Sequence, residues 1–118
     1  MDAQTKLIDL SFLAEFTKGD QGKMKRYIEM YLKSAPAIID EIQKEFENKN
    51  LENLRLKAHS IKPQAQYMGI ITLKEVLIEI EGVIKSGNDN GQLSTLIKKA
   101  KAISEKATIE LQSFLQSA

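Results

Sequence analysis

The sequence has no cysteine, no tryptophan and only one histidine in 118 residues. Missing cysteine removes disulfides, thiolate metal sites and cysteine nucleophiles together, and suits a reducing compartment. One histidine cannot supply a multi-histidine metal site. No cluster of carboxylates has ligand spacing on one helix face either, which sets a metal-dependent hydrolase aside. An excess of charge of one sign is also absent. Seventeen Lys plus Arg against sixteen Asp plus Glu give a formal net charge of +1, with the basic residues scattered. That pattern leaves no electrostatic footprint for nucleic acid. No apolar run approaches the roughly 20 residues that span a bilayer. The opening Met1-Asp2-Ala3-Gln4 has neither the basic segment nor the apolar stretch of a secretory signal, so a cytoplasmic protein that does not touch membrane is expected. Only two prolines occur, and no stretch alternates like a strand for long enough to build a sheet.

What is present is helical spacing. Hydrophobic residues at 42% and charged residues at 28% suit an ordinary globular chain, and this length predicts one domain over residues 1–118. A short segment from about Ile8 to Phe16 has Asp9 or Ser11 as its N-cap and Gly19 as its stop, and is expected to cross a bundle end. After Asp20, residues Met24, Ile28, Tyr31, Leu32, Ala35, Ile39, Ile42 and Phe46 form an inward stripe, with a kink expected at Pro36. Asn48-Lys49-Asn50 reads as a turn. Asn50 would cap a helix with Leu51, Leu54, Ala58, Ile61, Ala65 and Met68 inward. Gly69 interrupts. Thr72 to Glu75 has the form of a capping box ahead of Val76, Leu77, Ile80 and Ile84. Ser86 to Gly91 is a loop, and the last helix runs from about Gln92 through Leu93, Leu96, Ile97, Ala100, Ile103, Ala107, Leu111 and Phe114. The predicted fold is all-α: an antiparallel four-helix bundle with a short extra N-terminal helix. A monomer is expected.

The lone histidine, His59, falls on the third of these segments. At ~100° per residue it points about 130° from the apolar stripe, and therefore into solvent. The same outward side carries Leu56, Ser60, Pro63, Gln66 and Tyr67. Leu56, Pro63 and Tyr67 make an apolar row on a wet face, as a docking patch would. The alternative is that a loop or the first helix covers the row. Lys62 lies one turn after His59, where its ammonium can meet an anion held on the imidazole. Pro63 cannot donate to the His59 carbonyl, at a cost of about 3 kcal/mol in an ordinary helix interior, and should bend the helix there. Glu81, at the edge of the stripe on the next helix, can accept the Nδ1 hydrogen of His59 and leave Nε2 as nucleophile. A solvated surface glutamate is the other reading of that residue.

Ala58-His59-Ser60-Ile61-Lys62 resembles the centre of the AHxLKG motif of histidine-containing phosphotransfer (HPt) domains, with Ile61 in place of Leu. Asp9 to Leu13 resembles the family's opening and Gly19-Asp20 its approach to the second helix. Gly69 matches the glycine ten residues past the histidine, and Ile80-Glu81 a Leu-Glu pair. The likeness covers about residues 8–87. It implies a phosphorelay intermediate of two-component signalling, with His59 phosphorylated, Lys62 facing the phosphate and Glu81 orienting the ring. The implied partners are receiver domains of a hybrid histidine kinase and of a response regulator. Mg²⁺ would sit in the receiver, so no cofactor is expected on this chain and no kinase activity of its own. Pro63 departs from the family pattern, which most often has Gly there.

Two rivals remain at this level. The phosphoacceptor hairpin of a sensor kinase places proline five residues after its histidine rather than four, and 118 residues leave no room for a catalytic domain beside the bundle. A non-catalytic helical adaptor would bind a partner through the Leu56–Tyr67 face and leave His59 idle.

Overall fold

In the computed structural model, which describes residues 6–117, the helical spacing becomes five helices. They are α1 (Ser11–Phe16), α2 (Gln21–Glu47), α3 (Leu51–Tyr67), α4 (Ile71–Ser86) and α5 (Gln92–Ser117). Helix α2 packs on α3, α3 on α4, α4 on α5 and α5 back on α2, so the four long helices close a ring around one core. The fold is the expected antiparallel bundle with its short N-terminal helix. Apolar spacing of three and four fixes which faces turn inward. Met24, Ile28, Tyr31, Ala35, Ile39 and Ile42 of α2 meet Leu54, Ala58, Ile61 and Ala65 of α3, with Leu73 to Ile80 and Leu93 to Leu111 completing the core.

The helix ends follow local chemistry, with several departures from the expected pattern. The Asp20 carboxylate accepts from the Lys23 amide at 3.0 Å and caps α2. Asn50 occupies the N-cap position of α3, but its side chain turns back to Glu45 at 3.3 Å. The Thr72–Glu75 capping box does not form. Helix α4 starts earlier, at Ile71, because buried Ile70 anchors the turn and its carbonyl already accepts from Lys74. Leu51 stays exposed at the first turn of α3, outside the closed ring. Both prolines sit within unbroken helices, Pro36 in α2 and Pro63 in α3.

Residues 7–10 are not helical, although the apolar pattern extended the first helix back to Ile8. They form a strap instead. The Leu7 and Ile8 amides donate to the Glu110 carboxylate of α5 at 2.9 and 3.1 Å, and the Asp9 amide donates to the Met68 carbonyl at 3.2 Å. Asp9 then turns the chain into α1, accepting from the Ser11 amide and hydroxyl. Gly69 makes this crossing feasible. Its φ is +68°, and a Cβ there would lie 1.9 Å from the Asp9 carbonyl oxygen. The strap thus lays α1 beside the C-terminal end of α3.

Candidate functional site

Leu54, Ala58, Ile61 and Ala65 lock the inner face of α3 in the core, and this fixes the rotation of the helix about its axis. His59 follows Ala58 by one residue and is carried to the outer side, where its side chain is 64% exposed. Glu81 comes from the facing turn of α4. It is only 5% exposed, which rules out the solvated reading.

The two side chains meet. His59 Nδ1 lies 3.1 Å from Glu81 Oε1. An ionised carboxylate only accepts, so Nδ1 carries the hydrogen, and an uncharged ring so held has its lone pair on Nε2. Among the described residues Nε2 has no protein partner. The Lys62 ammonium lies 2.5 Å from Glu81 Oε2, and that oxygen has no other partner. Lys62 is therefore not a free cation in the resting protein, but half of a pair with Glu81. Burial alone would push the Glu81 carboxyl up. The bonds from Lys62 and His59 outweigh burial and hold it below the ordinary carboxylate range. Arg55, one turn before His59, lies near enough to feel the Glu81 charge, while its guanidinium grips Glu52 at 2.6 and 3.1 Å. Arg55 went unnoticed in the sequence, although its spacing of four residues before His59 was visible.

Around the histidine, Leu56, Ser60, Pro63, Gln66 and Tyr67 are all exposed, as the outward row requires. The Ser60 hydroxyl donates back to the Lys57 carbonyl at 2.7 Å, and Gln66 accepts from the Lys74 ammonium at 2.7 Å. Pro63 lacks an N–H, so the His59 carbonyl loses its helical donor. At the far end of the row α1 does arrive, yet it extends the patch rather than hiding it. Phe12 and Phe16 lie 5.5 and 5.6 Å from Tyr67, ring to ring, and Phe16 also meets Tyr27 edge-on. Four of the seven aromatic side chains gather there, with Phe12 and Phe16 themselves about half-exposed. Their spacing of four residues on one short helix was the available signal. A groove of about 420 Å³ between α2 and α3 adjoins this cluster, lined in part by Met30, Tyr31 and Met68.

Among the described residues no group of three or more His, Cys, Asp or Glu side chains is placed to hold a metal ion, and no helix is long and apolar enough to cross a membrane. A comparison with protein-family models matches residues 26–116 to the Hpt domain. No curated protein and no solved structure gave a significant match.

Proposed function

The chain belongs to the Hpt domain family, and on that premise we propose that it is a phosphorelay intermediate that carries a phosphoryl group on His59 between the aspartates of two receiver domains. Membership brings a histidine phosphotransfer role in phosphorelays, and Hpt domains interact with receiver domains. The observation that carries the assignment to this residue is the exposed ring held through Nδ1 by a buried carboxylate 3.1 Å away.

The chemistry follows from that geometry. The Nε2 lone pair attacks the phosphorus of a receiver's aspartyl phosphate. The Nε2–P bond forms and the P–O bond to the aspartate breaks, its electron pair returning to the carboxylate. Such transfers demand positioning and charge neutralisation rather than covalent work by the protein. Glu81 fixes the orientation of the ring. Lys62 is tethered to Glu81 within a turn of His59, so its ammonium can exchange one anion for another as phosphoryl arrives. The receiver supplies Mg²⁺ and its own acidic pocket. Leu56, Ser60, Pro63, Gln66 and Tyr67, with Phe12 and Phe16 beyond them, form the face on which it docks.

The test is transfer from a phosphorylated receiver domain to the purified protein. Acid-labile, alkali-stable label is expected on the chain and absent from His59→Gln. Label that never appears, or that survives the substitution, ends this reading in favour of a helical adaptor that uses the same face.

A further inference from the structure

Resting on the reading of His59 as the residue that meets a receiver domain, we propose that Gly82 on α4 is the point where the receiver's main chain comes closest to this protein, and that Ile78 beside it carries the docking surface across the histidine onto α4.

Nothing within the chain calls for a glycine at this position. Gly82 lies in the interior of α4 with an ordinary helical backbone, apart from the positive-φ glycines Gly19, Gly69, Gly87 and Gly91. It is exposed, and among the described residues no atom outside its own stretch of helix lies within 4 Å of where its Cβ would be. Alanine would therefore fit without strain. It would also favour the helix, because glycine has the most backbone freedom to lose and ranks far below alanine in a helix interior. Gly69 makes the contrast, since the place of its Cβ is taken by the Asp9 carbonyl oxygen 1.9 Å away. A bare position that lowers stability and that the chain leaves open gains its value from something outside the chain.

Its place says what comes there. Leu73, Val76, Leu77 and Ile80 define the inward side of α4. At ~100° per residue Gly82 points about 170° away from them, straight out of the bundle. It follows Glu81 by one residue, and Glu81 Oε1 is 3.1 Å from His59 Nδ1, so Gly82 is level with the histidine. The bond from Lys74 to Gln66 fixes the antiparallel run of the two helices. On that run Ile78, one turn before Gly82 and 47% exposed, stands opposite Pro63. His59 thus lies between two outward crests, with Leu56 and Pro63 on α3 and with Ile78 and bare Gly82 on α4. A receiver that brings an aspartate to Nε2 has to rest on both. Side chains raise the α3 crest on either side of the histidine, whereas the α4 crest drops to the backbone at Gly82. That drop admits a main-chain segment of the partner, and Ile78 offers it apolar area one turn away.

The experiment compares Gly82→Ala, Gly82→Leu and Ile78→Ala with the parent chain. Thermal melting reads the fold, and calorimetry reads the affinity for a receiver domain. Labelling by phosphoramidate, a small donor with no docking surface, reads the reactivity of His59. Gly82→Ala should melt about 4 °C above the parent and yet bind the receiver about tenfold more weakly, because a methyl group added to a close contact forces the partner away. Gly82→Leu should weaken binding about a hundredfold, and Ile78→Ala about fivefold through lost apolar contact. A Gly82→Ala chain that melts higher and binds as tightly as the parent ends this inference and leaves the relay reading standing. One that melts below the parent also overturns it, since the chain itself would then need the glycine. Weakened binding together with lost phosphoramidate labelling does the same, because the added side chain would then act on His59 and not on a partner. A parent chain that takes phosphoryl from phosphoramidate but neither binds nor exchanges with a receiver ends the relay reading, and this inference with it.

Discussion

Replacing Gly69 with alanine probes how the first helix is held, and Gly87 supplies a matched control. Both glycines have φ of +68°, yet a Cβ at position 87 meets nothing within 4 Å whereas one at 69 would lie 1.9 Å from the Asp9 carbonyl oxygen and 2.6 Å from the Asp9 nitrogen. An L-residue in the left-handed region costs about 1–2 kcal/mol wherever it sits. Gly87→Ala should lose about that much and no more. Gly69→Ala must also push the strap away, which breaks the Asp9–Met68 backbone bond and loosens the amide contacts to Glu110. A backbone bond contributes about 1 kcal/mol net, and bonds to a charged group somewhat more. The expected loss is therefore about 3–4 kcal/mol, against about 1–2 for the control. At about 4 °C per kcal/mol for a chain of this size, the two melting temperatures should fall by roughly 14 and 6 °C. Urea titration and thermal melting, both followed by circular dichroism at helix wavelengths, would measure the difference. Equal losses for the two variants would refute the close crossing of the strap over Gly69.

The depressed Glu81 carboxyl gives a second prediction. Folding stability from this group is present above the ordinary carboxylate range and is lost as the pH falls through the lowered folded-state value, because the unfolded chain takes up the proton first. The stability of Glu81→Gln should consequently fall less steeply in acid than that of the parent, and parallel acid limbs would remove the assignment. Pro63 gives a third. Alanine restores an N–H to the His59 carbonyl and should stabilise the protein by up to about 3 kcal/mol, with Pro63→Gly gaining about 1 less. If the proline is matched to a partner, receiver affinity measured by calorimetry drops in both variants while stability rises. Unchanged affinity would make the ring incidental to docking.

Periodicity predicted the bundle because each long helix buries one stripe, and the sequence records that stripe directly. It also placed His59 outward, since a residue one step from a core alanine has a fixed azimuth. Glu81 was harder to assign. An edge position suits both a solvated and a buried carboxylate, and only the approach of α3 to α4 decides between them. Lys62 shows a further gap. Its place one turn from His59 was readable, but its pairing with Glu81 rather than with open solvent depends on a contact between helices. The first helix was overextended for a similar reason. Leu7, Ile8 and Leu10 are apolar because they pack against the core as a strap, and apolar spacing cannot distinguish that from a helical turn. The capping box failed because a buried isoleucine just upstream anchored the helix start more strongly than Thr72 could.

The bonds from Leu7 and Ile8 to Glu110 join residues separated by 103 and 102 positions. Closing so long a loop has an entropic cost that only an assembled α5 can offset. Order of assembly follows from this. The α3–α4 hairpin, which carries His59, Lys62 and Glu81, involves local contacts and can form early, whereas the strap that lays Phe12 and Phe16 against Tyr67 is fully tied down only once the two ends of the chain have met. A chain truncated or stalled before α5 would thus keep the histidine and its carboxylate while holding the aromatic neighbours from α1 through the Asp9–Met68 crossing alone. The proposed phosphoryl site would be in place before the proposed docking face was fully held.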